Sequence, residues 1–337
     1  MAPPQNPDQL RLLAKVARMY HERGIRQPQI AAELHISQSR VSRLLSQAVE
    51  EGIVRTTVTL PPGVHTGLED ELKERFGLLD CLVVDTAGSR GDVTPALGAA
   101  TAVYLNDTLF ARDVVGISSW SSTLLAAVEA MRPGSRLAVE RVTQLIGGVG
   151  DPQVQVEATR LLHRFATITN ATAIFLPTPG LVSDATVRRA LLRDPAVLDV
   201  QRAWSDLTVA LVGIGNVEPS PLVQRSGNGL DRDAQVELHE LGAVGDVCFR
   251  FFDQAGNLVP SALNERVLGI SPEALKAVPR RVGVAGGPDK HAAVRAALLG
   301  GWVNTLVTDL DTAHHLAAPD PGIENSGTAD PGAVLSD

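Results

Sequence analysis

The chain is poor in cysteine and lacks any long hydrophobic run. It has two cysteines among 337 residues, Cys81 and Cys248, and both stand in apolar, strand-like segments. Such positions favour buried thiols over a disulfide or a metal site. No stretch approaches the roughly 18 consecutive apolar residues of a membrane-spanning helix, and no charged-then-apolar signal opens the sequence. We therefore expect a cytoplasmic protein with no membrane partner.

Positive charge is scarce overall but is concentrated at the beginning of the chain. The formal net charge is −8. Residues 1–60 hold eight basic and five acidic side chains, whereas the remaining residues hold 22 basic and 33 acidic ones. A small basic segment can meet a phosphate backbone while the acidic remainder repels it. The distribution predicts a DNA-binding head on a larger acidic body.

The segment 27–46 has the pattern of a DNA-binding helix-turn-helix. A first helix is predicted from about Gln27 to Leu34, followed by a tight turn and by Ser37, whose hydroxyl can cap a second helix. Apolar residues recur where two short crossing helices would touch, at Ile30, Ala31, Leu34, Ile36, Val41 and Leu44. The residues expected to face DNA are Ser37, Gln38, Ser39, Arg40, Ser42 and Arg43. The alternative is a small helical hairpin buried in any core.

His35 occupies the turn of this motif. Glycine is common there because the backbone often needs a positive φ. Histidine enters that region more readily than most residues, so His35 is compatible with the turn.

The segments around this motif define the expected domain boundaries. Residues 8–24 predict a supporting helix, and residues 54–60 alternate like a short strand suited to a wing. Pro61-Pro62-Gly63 then interrupts regular structure. We expect a winged-helix-like DNA-binding domain over 1–60 and a linker with a short helix over 61–77.

From residue 78 onward, apolar strand patterns alternate with helical patterns. The predicted strands are 79–84, 113–118, 142–146, 171–176, 207–214, 246–252, 281–284 and 305–308, and the predicted helices are 93–109, 122–131, 153–166, 184–192, 231–240, 272–277 and 289–299. Continuous Val, Ile and Leu runs between helices are typical of parallel strands covered on both faces. We expect an α/β fold, with a doubly wound parallel sheet over 78–317 that binds an effector and assembles subunits. A disordered tail is expected over 318–337, which is rich in Pro, Gly, Ala and Asp.

The loop and helix start at 116–123 form the first candidate ligand site. Backbone N–H groups at a helix start, together with the hydroxyls of Ser121, Ser122 and Thr123, can cradle a phosphate. Ordinary helix capping explains the same residues equally well, because the loop lacks the lysine and glycine spacing of a P-loop.

Three further segments place polar or flexible residues beside predicted strands. Gln144 precedes Gly147 and Gly148, which either let a ligand approach the backbone or only form a tight turn. Asp246 opens an apolar strand and could accept hydrogen bonds from sugar hydroxyls. Lys290 follows a Gly-Gly turn near a helix start, where it can bind an anion or lie exposed as an ordinary surface lysine. The histidines show no metal-ligand spacing, so we expect no metal and no cofactor.

Several blocks, in this order, resemble the SorC-type (SorC/DeoR) sugar-responsive transcriptional regulators of bacteria. The blocks are SQSRVSRLL at 37–45, TQLIGG at 143–148, LPTPGLVSD at 176–184, GAVGDVCFRFFD at 242–253 and VAGGPDK at 284–290 with VTD at 307–309. The resemblance extends from about Leu10 to Leu316. Long blocks that match in order are far more specific than any single short motif.

The resemblance implies an operator-binding N-terminal domain and an effector domain related in fold to sugar-phosphate isomerases and glucosamine-phosphate deaminases. It also implies a homodimer or homotetramer and a phosphorylated sugar as a common inducer. By that likeness Ser121, Ser122, Thr123 and Lys290 would hold the phosphate, while Gln144, Asp246 and the backbone at Gly147 and Gly148 would meet hydroxyls. The loop departs from the common form, which carries glycine near position 121, because this chain has the bulkier Ser-Ser-Trp-Ser-Ser-Thr.

We interpret the chain as a regulator that binds double-stranded operator DNA of a carbohydrate-metabolism operon under control of a sugar or sugar phosphate. One alternative is a sugar-phosphate isomerase or deaminase, which needs a positioned acid/base pair. No such pair stands out, so no catalytic residue is expected. The other alternative is a DNA-binding oligomer that responds to no effector.

Overall fold

The computed structural model describes residues 7–55, 61, 63–86, 92–133, 138–226 and 230–319. The chain divides into two compact units, Met1–Pro61 and Pro62–Asp337. Residues 56–60 of the predicted wing strand and residues 320–337 of the predicted tail lie outside the described residues. Among the helices of the described part, none is both long enough and apolar enough to cross a membrane.

The described part of the first unit contains three helices: α1 (Pro7–His21), α2 (Gln27–Glu33) and α3 (Gln38–Glu50). Both α1 and α2 contact α3. Their shared core consists of Leu13, Val16, Ala17, Met19, Ile30, Ala31, Val41, Leu44, Leu45 and Ala48. A helix of only seven residues is marginal in water, so α2 depends on burying Ile30 and Ala31 in this core.

The second unit begins with a helix and then alternates strands with helices. Its elements are α4 (Thr66–Phe76), β1 (Asp80–Val84), α5 (Thr94–Thr108), β2 (Val114–Ile117), α6 (Ser122–Ala130), β3 (Arg141–Gln144), α7 (Pro152–Thr169), β4 (Thr172–Ile174), α8 (Ala185–Leu191), α9 (Pro195–Trp204), β5 (Val209–Gly213), α10 (Pro221–Arg225), α11 (Arg232–Glu240), β6 (Gly245–Val247), β7 (Arg250–Phe252), α12 (Pro272–Ala277), β8 (Arg280–Val284), α13 (His291–Leu299), β9 (Thr305–Asp309) and α14 (Leu310–Ala317). The sequence patterns do not predict α9, α10 or α14.

Seven strands form one parallel sheet in the order β1-β9-β8-β5-β2-β3-β4. Successive residues of β5 enter different apolar clusters, since Val209 and Leu211 belong to one and Ala210 and Val212 to the other. Side chains of α5, α6 and α7 complete the first of these clusters, and side chains of α4, α13 and α14 contribute to the second. Helices therefore cover both faces of the sheet, which explains the continuous apolar runs. The predicted α/β fold is confirmed.

The direction of strand addition reverses between β2 and β5. From β2 the chain adds β3 and β4 on one side, whereas β8 and β9 follow on the other side of β5. In open parallel sheets, ligands bind in the crevice beyond the carboxyl ends of the strands at such a reversal. The topology therefore predicts a ligand site at the loops that follow Ile117 and Gly213.

A short antiparallel hairpin replaces the single strand that the sequence predicts over 246–252. Asp246 of β6 pairs with Phe251 of β7, and the connecting turn consists of Cys248 and Phe249. Both turn residues have positive φ, 54° and 59°. The one-strand prediction is wrong because this apolar run contains no Gly or Asn at the turn, the usual signal for a two-residue hairpin.

Candidate functional sites

The turn between α2 and α3 satisfies the last carbonyls of α2. The N–H of His35 donates to the carbonyl of Ala32 at 3.3 Å, and the N–H of Ile36 donates to the carbonyl of Ala31 at 3.0 Å. This pair of bonds is a Schellman motif, which needs one left-handed residue after the helix. His35 supplies it with φ of 53°. The positive φ expected at this position is therefore present, although the residue is not glycine.

Ser37 caps α3, as the sequence predicts. Its hydroxyl accepts a hydrogen bond from the N–H of Arg40 at 3.2 Å. The polar side chains that follow are all exposed: Gln38, Ser39, Arg40, Ser42 and Arg43. The opposite side of the helix buries Val41, Leu44, Leu45 and Ala48. The structure thus gives α3 one polar face with the side-chain types that contact bases and phosphates.

A cavity of about 100 Å³ lies beyond the carboxyl ends of β2 and β5, at the strand reversal. Most of its lining comes from the segment 118–123, the loop after β5, the β6–β7 hairpin and Lys290, and Ile146, Val223 and Leu230 complete it. These parts are far apart in the sequence. They meet because parallel strands bring their carboxyl ends to one edge of the sheet. We call this cavity the switch-point pocket.

The start of α6 forms one wall of the switch-point pocket. Ser121 caps the helix through a hydrogen bond from the N–H of Leu124 to its hydroxyl at 3.2 Å. Ser122 and Thr123 also line the pocket, with Ser122 exposed and Thr123 buried. The indole of Trp120 donates to the carbonyl of Gly147 at 2.8 Å, which anchors the loop. The positive end of the helix dipole therefore lies at the pocket wall and favours an anion there.

Lys290 contributes the positively charged side chain of the lining. Its Nζ atom donates a hydrogen bond to the carbonyl of Ile214 at 2.9 Å, and the side chain is half-buried. Burial lowers the pKa of Lys290, and the nearby carboxylate of Asp246 offsets part of that change. An ammonium group held in this way keeps two further donors for a ligand. The surface-lysine alternative is excluded by this placement.

Asp246 stands at the base of the hairpin, facing the pocket. Its Oδ2 atom accepts a hydrogen bond from the N–H of Phe249 at 2.9 Å. Its Oδ1 atom occupies the space that a side chain at position 215 would need, so Gly215 is required for this approach. Burial raises the pKa of Asp246 to about 6, while the bond from Phe249 and the charge of Lys290 lower it. A carboxylate in this setting can accept hydrogen bonds from hydroxyl groups.

Gln144, Gly147 and Gly148 do not belong to the described lining of the pocket. The side-chain carbonyl of Gln144 accepts a hydrogen bond from the N–H of Leu176 at 2.8 Å. A Cβ on Gly147 would collide with the Pro179 carbonyl, and one on Gly148 would collide with the Gln144 amide. These three residues therefore have structural contacts in the neighbouring turn, which the tight-turn alternative anticipates.

The polar residues of the loop after β5 form a wall that the sequence reasoning missed, although the glycines at 213 and 215 suggest either a close ligand approach or a tight turn. Asn216, Glu218 and Ser220 line the pocket from that loop, and Ser118 lines it from the end of β2. A glycine-containing turn follows β5 in the sequence, but its position beside β2 depends on the strand order. Within the described ranges, no group of three or more His, Cys, Asp or Glu side chains could hold a metal ion.

Comparison with known proteins finds two family models along the chain. A model described as "Putative sugar-binding domain" matches residues 62–318. A second model, described as "Homeodomain-like domain", matches residues 7–56. Together they account for both compact units.

Curated relatives match over almost their whole length. The chain is 33% identical over 310 residues to the deoxyribonucleoside regulator of Bacillus subtilis (strain 168), covering 90% of this chain and 96% of that protein. It is 30% identical over 317 residues to the sorbitol operon regulator of Klebsiella pneumoniae, covering 93% and 99%. The crystal structure of the full-length K. pneumoniae sorbitol operon regulator superimposes with a TM-score of 0.69 at 28% identity, over 92% of this chain and 100% of that one.

A helix-turn-helix unit joined to a sugar-binding α/β unit defines a DNA-binding transcription regulator with a ligand-binding domain. The chain belongs to the SorC-type (SorC/DeoR) family of sugar-responsive transcriptional regulators. Its relatives are named as regulators and not as enzymes, and this chain is likewise a regulator rather than an enzyme.

Proposed function

We propose that this regulator controls an operon for carbohydrate use and that a small sugar phosphate in the switch-point pocket sets its affinity for operator DNA. The observation that carries the proposal is the joint presence of the α6 start and Lys290 around one cavity at the strand reversal. A helix N-terminus and an ammonium group act together on an anion. The names of the relatives, a deoxyribonucleoside regulator and a sorbitol operon regulator, support a sugar-derived effector.

Each proposed effector contact follows from the geometry of the pocket. The backbone N–H groups and hydroxyls of Ser121, Ser122 and Thr123, with Lys290, bind the phosphate. Asp246 accepts hydrogen bonds from sugar hydroxyls. We leave Gln144, Gly147 and Gly148 out of the proposed contacts because other parts of the fold already occupy them.

The polar face of α3 contacts the operator in this proposal. Gln38 and Ser39 meet base edges, Ser42, Arg40 and Arg43 meet bases or phosphates, and Ser37 fixes where the helix begins. We propose a homodimer or a homotetramer, because two recognition helices in successive major grooves lie about 34–36 Å apart. The operator is then a pseudo-palindrome. The unit of residues 1–60 reads DNA, and the unit of residues 78–317 binds the effector and assembles subunits.

The effector is tested by thermal shift of the full chain against sugars and their phosphates, because a ligand of the folded state raises Tm. We expect sugar phosphates, and not the parent sugars, to raise Tm. Selection from a random double-stranded DNA library then yields the operator. The effector found in the first step should change the affinity measured with that DNA. A silent panel would instead favour a regulator that responds to no effector.

Lys290→Met tests the site assignment. Loss of a hydrogen bond to a charged group costs about 1.5–3 kcal/mol, so effector affinity should fall roughly ten- to hundredfold. Lys73→Met is the matched control, since Lys73 lies on α4 and pairs with Asp70 at 3.7 Å. An effector affinity that stays the same in Lys290→Met contradicts the proposed phosphate site.

A further inference from the structure

The turn of the β6–β7 hairpin has an unusual backbone for its residue types. Cys248 and Phe249 have φ of 54° and 59°, which is the pattern of a type I′ turn. Such turns favour Asn and Gly, because a Cβ is disfavoured in the left-handed region. Both residues also line the switch-point pocket. Strained backbone of this kind persists only where the surroundings fix it, and it concentrates at ligand sites.

Two contacts fix Phe249, a residue that lines the pocket. The carboxylate of Asp246 accepts the Phe249 N–H at 2.9 Å, which fixes the backbone of the turn. The ring packs against the loop at Gly180, where a Cβ would lie 3.2 Å from the Cε2 atom of Phe249. Phe249 is only 8% exposed. Phe249 is therefore held in place although its backbone is strained.

The size of the pocket gives this ring a consequence for ligand choice. The cavity measures about 100 Å³. Typical small-molecule sites have volumes of roughly 300–1,000 Å³. Removing the ring would enlarge the cavity on the side of the hairpin, whereas the start of α6 and Lys290 would be unchanged.

We propose that Phe249 limits the size of the effector, an inference that rests on the proposed function. Its ring, held inward by the strained turn, restricts the pocket to sugar phosphates of five carbons or fewer. In the proposed function the start of α6 and Lys290 fix the phosphate, and Phe249 lines the same cavity, so its bulk leaves less room for a longer sugar. Phe249 is thus a specificity-determining residue, and Asp246 also acts as a positioning residue for the turn.

The size limit is tested by calorimetric titration of the full chain with erythrose 4-phosphate, ribose 5-phosphate and glucose 6-phosphate. One extra carbon unit in a tight pocket changes affinity by about 10–200-fold, so the wild-type chain should bind the six-carbon probe at least tenfold more weakly than the five-carbon probe. Phe249→Ala and Phe249→Gly should both remove that difference. A variant that keeps the wild-type ranking overturns the size limit and leaves the proposed function intact. Failure of all three probes to bind any of the three proteins overturns both.

Thermal unfolding tests the strained turn without reference to any ligand. Phe251 lines the same pocket from β7, so it is the matched control. At position 249, glycine should give a Tm about 2–4 °C above alanine, because alanine keeps a Cβ in the left-handed region. At position 251, the order should reverse, because glycine weakens a strand. A Tm at position 249 that is as high or higher with alanine than with glycine, as expected at position 251, would show that Phe249 is not strained and would overturn the positioning argument.

Discussion

The polar face of α3 and the switch-point pocket use polar residues in different ways. On α3, Arg40, Ser42 and Arg43 are exposed on a helix whose fold depends on the apolar residues of its other side. In the pocket, Asp246 and Lys290 are half-buried, and each already makes a hydrogen bond to the backbone of the protein. The first set is exposed and available to a partner, since the hydrogen bond from Arg43 Nε to the Ser39 carbonyl is long at 3.4 Å. The second set is held more tightly and also supports its own fold.

This difference separates the effects that substitutions should have in the two regions. A change on the face of α3 should alter DNA binding and leave stability nearly constant, because surface substitutions usually stay within about 0.5 kcal/mol. A change around the pocket should alter stability and ligand binding together, because the same atoms serve both.

The largest effect is expected from Gly147→Ala, next to the pocket region. Its Cβ would collide with the carbonyls of Pro179 and Thr178, and backbone atoms cannot turn aside as a flexible side chain can. Overpacking of this kind costs typically 1–3 kcal/mol and occasionally more, so we expect a loss of about 3 kcal/mol in the free energy of unfolding. Urea denaturation followed by tryptophan fluorescence measures it.

Gly67→Ala is the control for this change, because it lies in α4 and a Cβ there meets nothing within 4 Å. Alanine should stabilise that helix by about 0.4–1 kcal/mol. If Gly147→Ala were as stable as the wild-type chain, close approach of a ligand rather than tight packing would explain the glycine.

Sequence patterns predict the placement of site residues best when those residues need only be exposed on a single helix or strand. Ser37, Gln38 and Arg43 lie as predicted, because a cap signal and helical spacing are local properties. The strands of the sheet were also predictable, since most of them lie in apolar, β-branched segments between helical patterns. Neither result requires knowledge of distant contacts.

The pocket was only partly predictable, for physical reasons that individual residues show. Gln144 looks like a ligand residue, yet its amide bonds to Leu176, which is 32 positions away. The Cys248–Phe249 turn carries no turn residue, and tertiary contacts impose its left-handed backbone. Asn216 reaches the pocket because β5 lies beside β2, and the strand order is a property of the whole sheet.

Arg43→Ala should give the next largest effect and should separate binding from stability. A lost base or phosphate contact costs about 1–3 kcal/mol, so affinity for the selected operator should fall roughly ten- to hundredfold. Gel-shift titration at fixed salt measures it. Arg18→Ala removes the same charge from the head. Arg18 lies on α1 and pairs with Glu22, just after that helix, at 2.9 Å, so its loss should change the affinity less than about twofold. Equal losses in the two variants would mean that only net charge matters.

Asp246→Asn should change how the stability of the second unit depends on pH. Burial raises the pKa of Asp246 to about 6, so the folded state binds this proton more tightly than the unfolded chain does. The contribution of Asp246 to stability is therefore present at low pH and is lost as pH rises through about 6. Relative to Asp246→Asn, the wild-type chain should lose about 1.4 kcal/mol between pH 5 and pH 7.5.

Asp184→Asn supplies a control of opposite sign for this pH experiment. Backbone N–H bonds from Val187 and Thr186 lower the pKa of Asp184, so its stabilisation is present at high pH and is lost as pH falls through that lowered value. Urea unfolding at several pH values measures both differences. If the difference in the free energy of unfolding between the wild-type chain and Asp246→Asn does not change with pH, Asp246 is better hydrated than the hairpin geometry indicates.

The smallest change in the free energy of unfolding is expected from His35→Gly. This variant tests whether an exposed residue of the head also affects the stability of the fold. A histidine in the left-handed region costs the folded state about 1–2 kcal/mol, and glycine removes that cost. The greater freedom of glycine in the unfolded chain offsets about half of this gain or more. The free energy of unfolding should therefore rise by about 0.5 kcal/mol. Glu33→Gly, at the last residue of α2, should instead destabilise the head by about 0.5–1 kcal/mol. The affinity of His35→Gly for the operator then shows whether the histidine contacts DNA. If His35→Gly gains stability and binds DNA as well as the wild-type chain, the histidine only tolerates its position. If it gains stability but binds DNA more weakly, His35 contacts the operator, and the strained turn belongs to the DNA-binding face.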